Sequence, residues 1–305
     1  MAERIVEFQL GPEEAGLRLD RILVGRFAEL GRKRARSLCD TGRVLVDGRA
    51  AGKGVQPRAG ARITVTLGEP AQAVPQPGPL EVLLERPDLV VVNKPAGQPS
   101  AVVQATDRET LVNALVARYP EMASVGFGVR EPGIIHRLDT QTSGALVAAR
   151  TSEAFTALRA ALENGKLLKR YLALVDSKAI DEQGVIEAWL GPHPKNPRRV
   201  AVYPEGHARA RAARSVYRVI ERRGRWALVE VEACRAYRHQ VRMHLAWRGS
   251  PIAGDALYGG PSAALGDRHA LHASQVSFDG PEPAAFDVRA PLPAVYSELL
   301  AAESP

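Results

Sequence analysis

Short, β-prone apolar runs outnumber helical ones through most of this 305-residue chain, and the two kinds do not alternate. Strand-like stretches stand at residues 89–92, 145–149, 170–175, 200–203, 214–220 and 226–232. Helical spacing recurs at 109–119 and 152–164, and a further helix opens around His239 and Gln240. Ser152 stands where an N-cap belongs, and Asn164-Gly165 where a helix stops. A doubly wound parallel sheet would need a helix after nearly every strand. The pattern instead predicts an α+β domain, a mixed, mainly antiparallel β-sheet flanked by helices.

The N-terminal segment has a different grain. Leu19, Ile22, Leu23, Phe27 and Leu30 fall on one helical stripe with Gly31 as its stop, and "RKRARSLCDTG" predicts a second short helix burying Ala35, Leu38 and Cys39. "RVLVDGRAA" alternates around an Asp47-Gly48 turn, and Ile63, Val65 and Leu67 alternate along a strand. The result is a small α/β module of about 50 residues. Beyond it, "GEPAQAVPQPGPL" holds four prolines and little that could form a core, which predicts a semi-rigid linker. The expected organisation is a module at 1–69, a linker at 70–79 and a large domain at 80–305.

Charge is concentrated in that module. Residues 18 to 62 hold twelve Lys/Arg against four Asp/Glu, a surplus larger than the +7 of the whole chain. Most charge runs are simply a solvated face. Here Arg32, Lys33, Arg34 and Arg36 open a predicted helix, where the helix dipole repels cations, and Arg43 follows just beyond it. A phosphate backbone would neutralise them, which points to a nucleic-acid partner.

Several function classes drop out. No apolar run approaches the roughly 20 residues that span a bilayer, and "MAERIVEFQL" lacks the basic start and apolar stretch of a signal peptide, so a cytoplasmic protein with no membrane partner is expected. Cys39 and Cys234 are far apart and in no CxxC spacing, which predicts two small buried side chains and no disulfide or zinc site. The pairs His239/His244 and His269/His272 have neither an HExxH pattern nor cysteine support, so no metal is expected.

One stretch resists the reading of an ordinary loop. In "GIIHRLDTQTSGALVAAR", residues 133 to 150, the polar group His136, Arg137 and Asp139 sits between two apolar runs. Asp, Ser and Gly complete many solvated turns. A kinase catalytic loop is excluded, because HRLD is not HRD and no glycine-rich phosphate loop precedes it. Tyr171 in "KRYLALV" and Arg242 in "HQVRMHLAWRGSPIAGDALYG" are each weak signals alone, and a glycosidase would need a second carboxylate, for which Asp255 is the candidate.

Together with "VVVNKPAG" and the late "LHA", these motifs resemble the RluA-type pseudouridine synthases over residues 80 to 295. Residues 16 to 68 resemble the alpha-L RNA-binding domain first named for the fourth ribosomal small-subunit protein. The resemblance implies an isomerase that converts uridine in structured RNA to pseudouridine without a cofactor, on ribosomal RNA or, as the alternative, transfer RNA, and a monomer is expected. It makes Asp139 the catalytic carboxylate, Arg242 its cationic partner and Tyr171 the wall against the uracil. Arg137 would fill the space left by the swung-out base, and His136 would position the loop. Arg32, Lys33, Arg34, Arg36 and Arg43 would hold RNA phosphates. The chain departs from the family pattern at Ala236, Tyr237 and Arg238, where Gly-Arg-x is usual before His-Gln.

Overall fold

A computed structural model of the chain describes residues 4–68, 72–104, 106–233, 235, 237–280 and 285–303. Cys234, Ala236, residue 69 at the end of the expected module and residues 70 and 71 of the expected linker lie outside the described residues. The backbone divides into two compact units, one formed by the N-terminal residues through 72 with the short segment 103–107, the other by 73–102 and 108 onward.

The first unit runs β1 (Arg4–Gln9), α1 (Leu19–Arg26), α2 (Arg32–Asp40), β2 (Val44–Val46), β3 (Arg49–Ala50) and β4 (Arg62–Leu67). Its strands form an antiparallel sheet in the order β1-β4-β2-β3. Leu19, Ile22 and Leu23 from α1, Ala35, Leu38 and Cys39 from α2 and Ile63, Val65 and Leu67 from β4 share one core. The first helix is shorter than its apolar stripe predicts. Phe27 leaves the helical region at φ −121°, and Phe27 and Leu30 reach the same core from the turn. Gly31 is the residue before α2, not a terminator of α1.

In the second unit come β5 (Glu81–Glu85), β6 (Leu89–Lys94), α3 (Leu111–Arg118), β7 (Ser143–Ala149), α4 (Ser152–Glu163), β8 (Leu167–Asp176), β9 (Gln183–Pro192) and β10 (Val200–Tyr203). They are followed by β11 (Arg211–Arg223), β12 (Trp226–Glu232), α5 (Gln240–Trp247), β13 (Leu271–Phe278), β14 (Phe286–Arg289) and α6 (Ala294–Ala301). One sheet takes the order β10-β9-β11-β12-β8-β13-β7-β6-β5, with β14 on β13. Every pairing among the described residues is antiparallel except β13 with β7. β6 and β7 are buried along nearly their whole length, which is why they read as continuous apolar runs. Phe155, Leu158 and Ala161 of α4 pack over Leu89, Val91, Ala145 and Val147.

Three local expectations are corrected. Thr151, not Ser152, caps α4: its backbone is extended and its side chain accepts from the Ala154 N–H. β9, β13 and β14 are strands that the apolar pattern did not single out. The expected linker is already part of the second unit from Ala73, whose N–H donates to the Val129 carbonyl, while Gln76 N–H donates to Asn113 O and Asn113 Nδ2 to Val74 O.

Candidate active site

Asp139 lies on the loop before β7, and that loop is pinned from several directions. The Ser100 hydroxyl brackets Leu138, donating to its carbonyl at 2.8 Å and accepting from its N–H at 3.2 Å. Thr142 N–H closes a turn on the Asp139 carbonyl at 3.0 Å. Thr142 Oγ1 meets His269 Nε2 at 2.8 Å, and Ser143 Oγ meets His272 Nδ1 at 2.9 Å. His272 Nε2 faces the Ala290 carbonyl at 3.4 Å, so the proton belongs on Nε2 and Ser143 donates to Nδ1. Next to them Gly144 adopts φ +112°, and a Cβ there would stand 2.2 Å from the Ala273 carbonyl oxygen. Only glycine permits β7 to approach β13 so closely.

Lys94, at the end of β6, is fully buried. Its Nζ donates to the carbonyls of Pro95 (2.9 Å), Gln98 (2.8 Å) and Thr140 (3.2 Å). Burial pushes it down to about 7, opposed by the charge of Asp139. Three acceptors around one nitrogen match the three donors of an ammonium, and a neutral amine would leave one unmet. We therefore assign Lys94 as a cation that ties the loop after β6 to the loop carrying Asp139.

Arg242, on α5, organises the carboxylates. Its Nε and Nη2 bind Asp255 Oδ2 and Oδ1 at 2.7 and 2.8 Å, and its Nη1 binds Asp139 Oδ2 at 2.8 Å. The fork on Asp255 fixes the guanidinium plane and leaves the third edge for Asp139. The Asp255 side chain is 1% exposed and Arg242 8%, whereas Asp139 is 25% exposed. Asp255 is therefore an anchor with both oxygens committed, which removes it as a second catalytic acid. Arg242 is itself held more strongly cationic: burial disfavours its charge, but the hydrogen bond and charge of Asp255 and then Asp139 outweigh it.

Burial alone would raise Asp139, yet its carboxyl lies below the usual aspartate range because His239 and Arg242 oppose protonation, with a smaller contribution from His269. His239 is pushed down by burial to about 4. It is thus cationic only in acid, below about pH 4. At neutral pH the guanidinium carries the positive charge.

Tyr171, on β8, is buried between Val231 of β12 and Ala273 of β13. Its hydroxyl is raised, by burial first and then by the nearby charge of Asp139, so it stays a neutral phenol. Asp139, Arg242 and Tyr171 therefore form one electrostatic neighbourhood. Arg137 points elsewhere: it is 64% exposed and paired to Glu131 at 3.3 Å. His136 is buried, is pushed down to about 3 by burial and by the charges of Lys169 and Arg159, and its Nε2 lies 3.5 Å from the Val147 N–H.

The rest of the α5 motif is structural. Gln240 Nε2 binds the Arg214 carbonyl and Ser215 Oγ, and His244 Nδ1 binds the same hydroxyl. Tyr237 packs against Ala188, Leu190 and Ala213, and Arg238 donates to the carbonyls of Pro197 and Arg198. Two of the departures from the family pattern, Tyr237 and Arg238, are thus used to fasten the start of α5 to β9, β11 and the turn before β10. In the first unit, Arg36 binds the buried Asp20 at 2.9 Å, and Arg34 donates to the Gly68 carbonyl at 3.4 Å. Arg32, Lys33 and Arg43 are exposed.

Sequence reasoning gave no role to Lys94, Tyr258, His269 or His272, and it assigned Asp255 only to a rival reaction. A lysine two residues after the four-residue apolar run at 89–92, and directly before Pro95, was a usable signal for Lys94. Among the described residues no group of three or more His, Cys, Asp or Glu is arranged to hold a metal, and no helix is long and apolar enough to cross a membrane.

The RNA pseudouridylate synthase family profile matches residues 88–247. An uncharacterized RNA pseudouridine synthase of Chloroflexus aurantiacus is 39% identical over 96% of this chain and 91% of its own. The ribosomal large subunit pseudouridine synthase D of Xanthomonas campestris is 35% identical over 94% and 89%. The structure of human RNA pseudouridylate synthase domain containing 1 aligns with a TM-score of 0.56 at 22% identity, over 75% of this chain and 99% of that one, a likeness of fold. Motifs, fold and relatives agree that the chain belongs to the RNA pseudouridine synthases and is an isomerase.

Proposed function

We propose that this enzyme isomerises specific uridines of structured RNA, foremost large-subunit ribosomal RNA, with Asp139 as the catalytic carboxylate. The observation that carries the reading is the bridge Asp255–Arg242–Asp139, which keeps an otherwise penalised carboxylate ionised in a partly enclosed site. Both neighbours of the carboxylate, Arg242 Nη1 and His239 Nε2, face Oδ2. Oδ1 has no hydrogen-bond partner among the described residues and is the oxygen left for chemistry.

The reaction breaks the bond from N1 of uracil to C1′ of ribose, turns the base in place, joins C5 to C1′ and releases the C5 proton. It needs no redox carrier. Asp139 acts on the sugar, either as a nucleophile at C1′ or as a base that yields a glycal. The Tyr171 ring offers a flat wall for the detached base. The target uridine must leave its stack, at a cost of a few kcal/mol, and the exposed Arg137 on the same loop fills the gap. The N-terminal unit supplies phosphate contacts through Arg32, Lys33, Arg34, Arg36 and Arg43, although Arg36 is partly committed to Asp20. The relative named for the large ribosomal subunit supports that RNA as substrate, and a cytoplasmic monomer would suffice.

The test is base-specific chemical labelling of transcribed large-subunit ribosomal RNA after incubation with purified enzyme. Wild type forms pseudouridine at discrete positions, and Asp139→Asn binds the RNA but forms none. Full activity in Asp139→Asn would reject the assignment. Site formation on transfer RNA alone would replace the substrate.

A further inference from the structure

His239 stands at the N-cap of α5 with φ +55°, the left-handed region, yet its side chain makes no capping hydrogen bond to the helix. Its imidazole is directed elsewhere. The Val200 N–H donates to the Tyr258 hydroxyl at 2.9 Å, and that hydroxyl lies 2.8 Å from His239 Nδ1. Having accepted the backbone proton, the phenol has its own proton for Nδ1. The neutral ring therefore carries its hydrogen on Nε2. Nε2 in turn faces Asp139 Oδ2 at 3.7 Å.

Tyr258 is itself fixed. It is 7% exposed, and two guanidinium groups lie against its ring, Arg242 at 5.2 Å and Arg199 at 5.3 Å from the ring centre. An unusual backbone angle, a defined tautomer and an anchored phenol all serve one outcome, an N–H aimed at the oxygen that Arg242 already binds.

We propose that His239 is a positioning residue for Asp139: oriented by Tyr258, its Nε2–H acts with Arg242 to fix the plane of the carboxylate and leave Oδ1 toward the substrate. At 3.7 Å the contact is ion–dipole attraction, and it shortens when RNA closes the site. The inference rests on Asp139 being the catalytic group. The other charged or titratable groups felt at Asp139 are Arg242, His269, Lys94 and Tyr171, and those felt at His239 are Arg242, Arg238 and Asp255.

Three substitutions separate positioning from capping. Gln places its amide nitrogen near the position of Nε2, whereas Asn reaches only toward Nδ1 but is the better residue at positive φ. Single-turnover pseudouridine formation should fall about tenfold or more in kcat in His239→Ala and His239→Asn, with KM for RNA within about twofold, and His239→Gln should recover most of the loss. Tyr258→Phe should lower kcat, and adding it to His239→Ala should cost nothing more. In the RNA-free full-length protein, the Asp139 carboxyl followed by carbon NMR should titrate about half a unit or more higher in His239→Ala.

Recovery by Asn but not Gln would assign His239 to the backbone alone and overturn the proposal. So would a Gln variant no better than Ala, or an unshifted Asp139 titration. Loss of activity in Asp139→Asn with no effect of His239 variants would overturn this inference and leave the catalytic aspartate standing. An inactive wild type would remove that reading instead, and the carboxyl titration would still decide this one.

Discussion

Replacing Arg242 by methionine, which keeps much of the aliphatic volume, should cost more stability than any surface ion pair. Two charge-assisted bonds of 2.7 and 2.8 Å to Asp255 and one of 2.8 Å to Asp139 disappear together. The two stranded carboxylates then differ. Asp139 is a quarter exposed and regains water, but Asp255 at 1% exposure does not. Breaking a buried pair from one side typically costs about 3–5 kcal/mol, most of it the uncompensated charge that remains. Against a domain stability of about 5–15 kcal/mol, this is a large fraction. Equilibrium urea unfolding of the full chain measures it. Neutralising the stranded partner in Arg242→Met/Asp255→Asn should recover about 1–3 kcal/mol, because the penalty lies in the charge and not in the lost contact. A single variant within about 1 kcal/mol of wild type, or a double variant whose losses simply add, would refute the view that Asp255 is a buried anion held by Arg242.

Gly144→Ala should destabilise the chain by about 3 kcal/mol or more, since positive φ and a Cβ 2.2 Å from the Ala273 oxygen must part β7 from β13; unfolding within about 1 kcal/mol of wild type would remove that constraint. Lys94→Met should cost about 2 kcal/mol or more and speed amide exchange near Gly97, whose N–H also binds the Thr140 carbonyl, and unchanged exchange would refute the tie between the two loops. His244, His269 and His272 are each pushed down by burial to about 4. A histidine with a lowered folded pKa stabilises fully above its unfolded value of about 6.5, and that contribution is lost as pH falls toward 4. The melting temperature should accordingly drop between pH 6.5 and 4, and His272→Gln should flatten the decline by that group's share, about 3 kcal/mol at most at pH 4. An identical pH profile in the variant would contradict the buried neutral imidazole.

The large sheet was legible where interior strands are buried on both faces and so stay apolar without interruption, as in "LVVV" of β6 and "GALVAA" of β7. β9 was not, because Gly184 and Gly191 sit near its ends and the apolar Val185 and Trp189 occupy outward positions between the buried Ile186, Ala188 and Leu190, so apolarity does not alternate along it although burial does. The cap of α4 was misplaced by one residue because Thr151 and Ser152 are both good cap formers, and only the backbone angle decides between them. That Asp139, Tyr171 and Arg242 lie in one neighbourhood was readable from motif order. The anchoring part of Asp255 was not legible, because a sequence displays a carboxylate but not the guanidinium across from it, thirteen residues away on another element. The three carbonyls around Lys94 leave no side-chain signature at all, since any residue could supply them.

The convergence of these groups follows from the one parallel pairing in the sheet. His272 lies beside Ser143 and Ala273 beside Gly144, so the starts of β7 and β13 are at the same end. The loops that precede them, one carrying Asp139 and the other Asp255, Tyr258 and His269, must therefore emerge together. β6 runs antiparallel to β7 and finishes with Lys94 opposite Gly144, which delivers the loop after β6 to the same edge. β12, like β13, runs antiparallel to β8 and so points away from that end, but its last residues stop level with Tyr171, with Val231 on one side of it and Ala273 of β13 on the other, so the chain that leads into His239 and Arg242 leaves beside the start of β13. Had β13 paired antiparallel with β7, the Asp255 loop would have emerged at the far end of the sheet, and Arg242 could not have bridged it to Asp139. The direction of a single short ladder thus decides whether the carboxylate is ionised.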